Sequence, residues 1–188
     1  MKRTITAISL ALCGMASAQL QGGGGIILGG GYLEDPGKGY AFAQIRGTLY
    51  EDDAFAHHVF LEILGHGDDA ELTYASGGSF FTEDGDIAFV NVTANYELEM
   101  KLSNWLSVYG GGGLGAEFVS LDDEFDYNID NDTNFVAQTF VGLRAQYQNG
   151  FAIQAGARYI FREDFSLLGD QFITNDSWAF EVGAGFSF

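Results

Sequence analysis

The last residues of the chain alternate between apolar side chains and side chains that are small or charged. From residue 178 to residue 188, every even position is apolar, whereas Glu181, Gly183, Gly185 and Ser187 stand among the odd positions. A period of two is typical of a β-strand with one face toward an apolar medium and one toward a polar medium. The pattern predicts a strand whose apolar face carries Trp178, Phe180, Val182, Ala184, Phe186 and Phe188.

The same period recurs along most of the chain, whereas no window after the N-terminal segment has the spacing of an amphipathic helix. The pattern does not assign the two faces of the first strand. Asn149-Gly150 joins two alternating segments, and this dipeptide favours a tight hairpin turn. With the last strand, eight strands are predicted, the other seven at about residues 24–33, 39–50, 55–66, 88–102, 106–120, 135–147 and 151–162.

The connections between these strands alternate between short and long. Short turns are predicted at 51–54, 103–104 and 149–150, and a somewhat longer one at 34–38. An even number of strands, short turns at one end and longer loops at the other are typical of outer-membrane barrels. We therefore predict an all-β fold, an eight-stranded antiparallel transmembrane up-and-down β-barrel, with long acidic loops at 67–86, 122–133 and 163–176.

A soluble lipocalin-like barrel also has eight strands, and the polarity of the two faces decides between the alternatives. A soluble barrel keeps its apolar face inside. Here the polar face is made of Gly, Gln, Asn and paired charges, and the apolar face has aromatic residues at its ends and smaller aliphatic residues between them. Aromatic girdles around an apolar band favour a lipid-facing exterior. The ends are marked by Trp178 and Phe188, Phe151 and Phe161, and Phe135 and Tyr147.

The N-terminus has the features of an export signal. Lys2 and Arg3 precede an apolar run that ends at Ala16-Ser17-Ala18, a pattern that signal peptidase accepts. We predict a signal peptide at residues 1–18 and the barrel at residues 19–188. The single cysteine, Cys13, lies within the signal and follows Leu12, which disfavours a lipidation site, so the mature chain would have no disulfide.

The charge is strongly negative, with 26 acidic and eight basic residues and a formal net charge of −18. Such a surface disfavours nucleic acid as a partner. Five basic and five acidic residues fall on the polar faces of the strands, and an unpaired charge inside a narrow barrel would be costly. We predict a network of ion pairs in the lumen, and the alternative is a gate whose pairs rearrange to pass small solutes. The residues are Arg46, Glu62, Glu97, Glu99, Lys101, Glu117, Arg144, Arg158, Arg162 and Glu181.

The acidic segment DDEFDYNIDNDTN has oxygen-bearing side chains at alternate positions, namely Asp126, Asn128, Asp130 and Asp132. Calcium prefers oxygen ligands, although the segment lacks the central Gly and the terminal Glu of an EF-hand loop. A solvated acidic loop is the main interpretation, and a calcium site is the alternative. Divalent cations that bridge this loop to lipopolysaccharide are a further hypothesis.

Two features resemble catalytic or cofactor motifs without their context. Gly110, Gly112 and Gly115 have the G-x-G-x-x-G spacing of a dinucleotide site, but no helix follows, so the glycines are predicted to lie within a strand. His57 and His58 face opposite sides of their strand, and no spacing suits zinc. We predict no cofactor and no enzymatic activity.

Three stretches carry a resemblance to a known family: VTANYELEMKLSNWLSVYGGGGLGAEF, GLRAQYQNGFAIQAGARYIF and the ending WAFEVGAGFSF. The chain resembles the small eight-stranded outer-membrane barrels of Gram-negative bacteria, a group that includes the transmembrane domain of outer membrane protein A. The resemblance implies that the ending is read by the barrel-assembly machinery. The residues that match this signal are Phe180, Val182, Ala184, Phe186 and Phe188.

The pattern and the resemblance together predict an integral protein of the outer membrane, with lipid and lipopolysaccharide as its surroundings. Its expected role is structural or a surface interaction through acidic extracellular loops. The alternative is a small gated pore for ions or small solutes.

Overall fold

Eight of the alternating segments form one closed antiparallel sheet. The computed structural model describes residues 23–76, 79–121, 133–162, 165–167, 170–172 and 176–188. The predicted signal peptide and the residues predicted as calcium ligands lie outside these ranges. The strands are β1 Gly24–Leu33, β2 Gly39–Glu51, β3 Phe55–Ser76, β4 Ser79–Lys101, β5 Leu106–Leu121, β6 Thr133–Gln146, β7 Phe151–Arg162, β8 Phe165–Leu167, β9 Asp170–Phe172 and β10 Ser177–Ser187.

The barrel contains β1 to β7 and β10, each hydrogen-bonded to its neighbours in the chain order, and β10 pairs with β1 to close the sheet. The closing register extends from Gly25 opposite Ser187 to Leu33 opposite Ala179. The predicted fold class is therefore confirmed. In the ranges that the structure describes, no helix is long and apolar enough to cross a membrane.

The apolar faces of the strands point outward, as the alternation predicts. Along β10, Trp178, Phe180 and Val182 are exposed, while Ala179 and Glu181 between them are buried. The structure also assigns the first strand, where Leu28 is 62% exposed and Ile27 is 5% exposed. This inside-out polarity excludes the lipocalin-like alternative, because a soluble barrel would not expose so many large apolar side chains.

The prediction of a loop at residues 67–86 is wrong. β3 continues to Ser76 and β4 begins at Ser79, and the two remain paired up to Ser76 opposite Ser79. The neighbouring strands end earlier, since β2 pairs with β3 only as far as Gly65 and β5 pairs with β4 only from Ile87. Polar and apolar residues alternate only over the six residues from Asp69 to Tyr74, and the Gly-rich, acidic sequence around them is typical of a loop.

A second predicted loop also contains paired strands. Within 163–176, β8 and β9 pair with each other in a small separate sheet, with Phe165 opposite Phe172. Each strand has three residues, which is too short for an alternating pattern to stand out from a polar connection.

The turns at the opposite end are tight and are stabilised by side chains. In the turn between β2 and β3, Asp52 Oδ1 accepts hydrogen bonds from the backbone N–H groups of Ala54 (2.8 Å) and Phe55 (2.7 Å). Between β6 and β7, Gly150 has a φ of +81°, a conformation that favours glycine. The Asn149-Gly150 turn joins the two strands that the dipeptide predicts.

Candidate functional site: the charged interior

The interior of the barrel is lined by the alternate residues that do not face outward. Every barrel strand except β1 contributes at least one charged residue to it. Nine of the ten predicted lumen residues have side chains no more than 9% exposed, and each belongs to an ion pair. They form three groups along the barrel axis.

The turn-end cluster comprises Arg46, His58, Glu97, Glu99 and Arg144. The Arg144 guanidinium donates to both carboxylate oxygens of Glu97, at 2.8 and 3.1 Å, and also to Glu99. Arg46 donates to Glu97 as well. Two guanidinium groups thus neutralise two carboxylates that lie two residues apart on β4. Removal of one partner from such a pair would strongly destabilise the fold, because it would leave a buried charge uncompensated.

The central cluster comprises Glu62, Arg158 and Glu181. Arg158 donates to both oxygens of Glu62, one of them at 2.8 Å, and its Nη2 lies 2.6 Å from Glu181 Oε2. Neutral side chains complete the network. Those that hydrogen-bond to the two carboxylates are Gln44 (2.7 Å to Glu62), Gln138 (3.0 Å to Glu62) and Tyr40 (3.0 Å to Glu181).

The loop-end pair comprises Glu117 and Arg162. Arg162 Nε donates to Glu117 Oε2 at 3.1 Å, and its Nη2 lies 3.3 Å from His66 Nε2. The His66 ring stacks on Phe89, with 4.7 Å between the ring centroids and 13° between the planes. This pair lies where β3 and β4 begin to extend past their neighbours.

The tenth predicted residue, Lys101, has different partners. Its Nζ donates to Glu51 Oε1 and to the backbone oxygen of Asp52, both at 2.7 Å, and its side chain is 30% exposed. Lys101 is the last residue of β4, so it lies at the rim beside the turn that contains Asp52. The prediction that Lys101 belongs to the interior network is therefore corrected. Its side chain links the end of β4 to the turn between β2 and β3.

Aromatic rings pack between and against the charged groups. Phe60 contacts Phe140 with 5.6 Å between the ring centroids, and Arg144 lies 4.6 Å above the ring of Tyr109. Arg46 lies over Phe60 and Arg158 over Phe42, at 5.2 and 5.7 Å. Guanidinium groups pack well on aromatic faces. The alternation places these rings and the glutamines on the polar face, but it does not indicate that they fill the lumen.

The glycines of β5 are covered by this packing. A Cβ atom at Gly111 would lie 2.8 Å from Phe140 Cζ, and one at Gly115 would lie 2.9 Å from Thr93 Cγ2. At Gly113 it would overlap the Asn95 side chain. The G-x-G-x-x-G spacing lies inside a strand, as predicted. Side chains from β4 and β6 occupy the space that the inward-facing glycines leave, so the interior is filled beside this strand.

A cavity of about 310 Å³ opens at the turn end of the barrel. Its lining includes Arg46, His58, Glu99, Lys101 and Arg144. His58, Glu97 and Glu99 hold one ligand atom each within 4.8 Å of one another, a spacing that a metal ion could bridge. Arg46 and Arg144 already neutralise these two carboxylates, so a divalent cation would meet two positive groups there. The donor set fits ion pairing better than metal binding.

The five residues of the resembled assembly signal all lie on the outer face of β10 or at its end, and Phe188 is the most exposed of them. The backbone of Phe188 pairs with Gly24 of β1. Gly24 N–H donates to Phe188 O at 2.6 Å, and Phe188 N–H donates to Gly24 O at 2.8 Å. The last residue therefore takes part in closing the barrel.

Comparison of the sequence with protein-family models gives no match, and comparison with curated proteins also gives none. Solved structures do match. Ail, the attachment invasion locus protein of Yersinia pestis, solved in complex with the heparin analogue sucrose octasulfate, is 18% identical with a TM-score of 0.54. That match covers 89% of this chain and 99% of Ail.

Two further barrels resemble the chain to a similar degree. The N-terminal β-barrel domain of Pseudomonas aeruginosa OprF is 13% identical, with a TM-score of 0.53 and coverage of 89% of this chain and 98% of that one. Neisserial surface protein A is 12% identical, with a TM-score of 0.55 and coverage of 89% and 96%. The chain has the fold of the small eight-stranded outer-membrane barrels, and this fold with its apolar outer band places it in the outer membrane.

Proposed function

We propose that the protein is an integral outer-membrane barrel with a structural or surface-interaction role, which presents acidic segments to the exterior. The observation that carries the proposal is the filled interior. Three groups of ion pairs and the rings between them occupy the lumen from the turn end to the loop end. An eight-stranded barrel is only wide enough for side chains to fill, so little room is left for a permanent channel.

Conductance in a planar lipid bilayer tests this role. The refolded protein is expected to give no discrete channel steps, because opening a path would require breaking buried ion pairs. The Arg144→Gln variant leaves Glu99 with one donor fewer in the cluster next to the turn-end cavity. The protein and this variant are both expected to be silent.

A small gated pore is the second candidate, and the turn-end cavity favours it. The cavity already reaches as far as Arg144, so a path would need the pairs of the turn-end cluster, the central cluster and the loop-end pair to rearrange. Discrete steps whose size changes in Arg144→Gln or Glu117→Gln would establish the pore and overturn the structural role. Unchanged steps in both variants would point to contamination by another porin.

Orientation in the membrane can be measured with single cysteines, since the only native cysteine lies in the predicted signal peptide. Ser76→Cys lies at the loop end and Ser103→Cys at the turn end. In intact cells a membrane-impermeant maleimide is expected to label the first and not the second, whereas both react after lysis. Labelling of Ser103→Cys and not of Ser76→Cys in intact cells would place the acidic segments on the periplasmic side and overturn the display role.

Divalent cations are proposed as partners of the segment that contains Asp126, Asn128, Asp130 and Asp132, where they would bridge it to lipopolysaccharide. Carboxylate and amide oxygens support this chemistry. Calorimetric titration of the refolded barrel with calcium is expected to give heat that disappears when the three aspartates are replaced by asparagine. An absence of heat in the unaltered protein would refute it.

The barrel-assembly machinery is proposed as the partner of the C-terminal residues. Deletion of Phe188 removes a terminal aromatic residue and its two hydrogen bonds to Gly24. We expect less heat-modifiable barrel in the outer membrane, with Phe188→Tyr as the control that keeps an aromatic ring. Normal yield after the deletion would contradict the assignment.

A ligand of the kind bound to Ail does not suit this chain. The heparin analogue in that complex is a sulfated sugar. A protein of net charge −18 with acidic segments beyond the barrel would repel it. The absence of enzymatic activity stays a prediction.

A further inference from the structure

A histidine faces outward on the barrel surface near the turn end. His57 lies on β3 next to the buried Ala56, so its side chain is on the opposite face, between its register partners Tyr50 on β2 and Leu98 on β4. From the turns up to the level of the loop-end pair, the other outward-facing residues of the described barrel strands are apolar, glycine, tyrosine or Thr139. The Thr139 hydroxyl donates to a backbone oxygen of β5 at 3.2 Å. His57 therefore brings the one ionisable nitrogen to this described surface.

Two tyrosines hold the imidazole ring in place. Its Nδ1 lies 2.6 Å from the Tyr96 hydroxyl, and the Tyr50 ring packs edge-on against it with 5.8 Å between the ring centroids. A phenol is the better donor of this pair and an imidazole nitrogen the better acceptor, so Tyr96 donates to Nδ1. The ring proton then lies on Nε2, which is a donor in the protonated ring as well. Nε2 has no partner among the described residues.

The ring lies at the depth of an aromatic girdle. Tyr50 is its register partner, and Phe55 lies two residues nearer the turn; both are exposed. Aromatic girdles of membrane proteins lie at the level of the lipid headgroups. The acceptors available to the His57 Nε2–H group at this depth are water and headgroup oxygens. A phosphate oxygen is the strongest of them, because a charged acceptor forms hydrogen bonds about twice as strong as a neutral one.

The turn next to the ring has negative charge. The Tyr50 hydroxyl donates to Asp52 Oδ2 at 3.2 Å, and Asp52 and Asp53 are both exposed. Lys101 pairs with Glu51, and within the described ranges no cation forms an ion pair with the carboxylate of Asp52 or Asp53. A hydrogen-bond donor on the strand and carboxylates in the turn thus lie side by side, joined through Tyr50.

We propose that His57 and Asp52 bind the headgroup of a zwitterionic phospholipid. Nε2–H donates to a phosphate oxygen, and the ammonium group approaches the Asp52 carboxylate. In such a lipid the phosphate lies nearer the acyl chains and the ammonium group farther out, and His57 likewise lies farther into the barrel wall than Asp52. The acyl chains would lie along exposed apolar residues such as Leu98 and Met100. The inference concerns the lipid-facing surface and depends neither on the role of the loops nor on conductance.

Native mass spectrometry of the refolded barrel, released from detergent, tests the proposal. The probes are phosphatidylethanolamine, phosphatidylglycerol and diacylglycerol with the same acyl chains, added in equal amounts. The complex with one phosphatidylethanolamine is expected to predominate, because phosphatidylglycerol lacks the ammonium group and diacylglycerol also lacks the phosphate. Equal abundance of the diacylglycerol complex would show that acyl-chain contacts alone retain the lipid, and the proposal would be wrong.

Matched variants locate the phosphate. His57→Phe keeps an aromatic ring but removes the donor, and it is expected to lower the phosphatidylethanolamine complex about threefold or more. Tyr147→Phe is the control, since it removes an exposed hydroxyl elsewhere at the turn end. It is expected to bind lipid as the unaltered protein does. An unchanged complex in His57→Phe, or an equal loss in both variants, would mean that the histidine only anchors the barrel at the interface.

Asp52→Asn tests the ammonium group separately. It keeps the turn residue nearly isosteric but removes its charge, so the preference for phosphatidylethanolamine over phosphatidylglycerol is expected to disappear. A preference that persisted in this variant would reject the assigned orientation of the headgroup. Heat modifiability verifies that each variant is folded before its bound lipid is measured.

Discussion

Carboxylates occupy two regions of this protein: the interior of the barrel, where they pair with arginines, and the extended hairpin of β3 and β4, where acidic residues are register partners. In the interior, Glu62 receives two hydrogen bonds from Arg158 and others from Gln44 and Gln138. In the ribbon, the part of β3 and β4 at residues 66–76 and 79–86 that extends past the described neighbouring strands, Asp69 is opposite Asp86 and Glu71 is opposite Asp84. Water and salt screen charges that lie outside the membrane, whereas a buried charge has no such screening. Location therefore determines how strongly the stability of the fold depends on pairing a carboxylate.

The largest effect is expected from removing the one guanidinium of the central cluster. Arg158→Met leaves Glu62 and Glu181 buried without a cation, which costs about 3–5 kcal/mol of unfolding free energy. Urea unfolding of the refolded barrel measures it. The triple variant that adds Glu62→Gln and Glu181→Gln removes the stranded charges and is expected to recover a large part of the loss. If the single variant were as stable as the unaltered protein, the interior pairs would not require compensation.

The next effect concerns the packing around the ion pairs. At Gly115 an added Cβ would lie 2.0 Å from the Val92 backbone oxygen, so Gly115→Ala forces the wall to shift. Overpacking of this kind costs about 1–3 kcal/mol. The control is Gly110→Ala, where the nearest atom is the Phe140 backbone oxygen at 3.4 Å. Equal unfolding free energies for the two variants would mean that the interior is loosely filled.

A smaller effect is expected when one acidic pair of the ribbon is given an internal partner. Asp86→Lys places a cation opposite Asp69 and is expected to stabilise the ribbon by roughly 0.2–1 kcal/mol. Amide hydrogen exchange of residues 66–86 is the measurement. Asp68→Lys is the control, because its register partner is Ile87. Greater protection in the control than in Asp86→Lys would show that net charge, and not the register, governs the ribbon.

The smallest effect on stability is expected from Asp52, whose carboxylate accepts hydrogen bonds from backbone N–H groups. Asp52 lies in the β2–β3 turn, where the backbone N–H groups of Phe55 and Ala54 hold the pKa of its carboxyl below the ordinary value. The folded pKa is the lower one, so the stabilisation is complete above about pH 4 and is lost as the pH falls further.

The unfolding midpoint of the unaltered protein should therefore exceed that of Asp52→Asn at pH 7, and the difference should shrink at pH 3. A difference that grew on acidification would contradict the assigned hydrogen bonds. Glu51→Gln is the matched control at the end of β2, next to the turn, since it removes only the negative charge that faces Lys101.

Prediction from the sequence succeeds where one face of a strand contacts lipid. The strand at 24–33 has the predicted bounds, and the outer face of the last strand is as the alternation indicates. It fails at 67–86, where polar and apolar residues alternate only from Asp69 to Tyr74 and the other residues have the Gly-rich and acidic composition of a loop. The alternation places Lys101 in the interior, but it is the last residue of β4 and its side chain donates to Glu51 and Asp52 at the rim.

The sequence by itself determined an eight-stranded barrel, its inside-out polarity and the charged residues that face inward, because an apolar medium around the barrel imposes a period of two. Only the tertiary structure decided which arginine pairs with which glutamate. Arg158 and Glu62 are 96 residues apart, and the closing of the sheet brings them together across the lumen. The same holds for the ribbon, since the register of two strands decides that acidic residues lie opposite one another, and no local pattern contains that information.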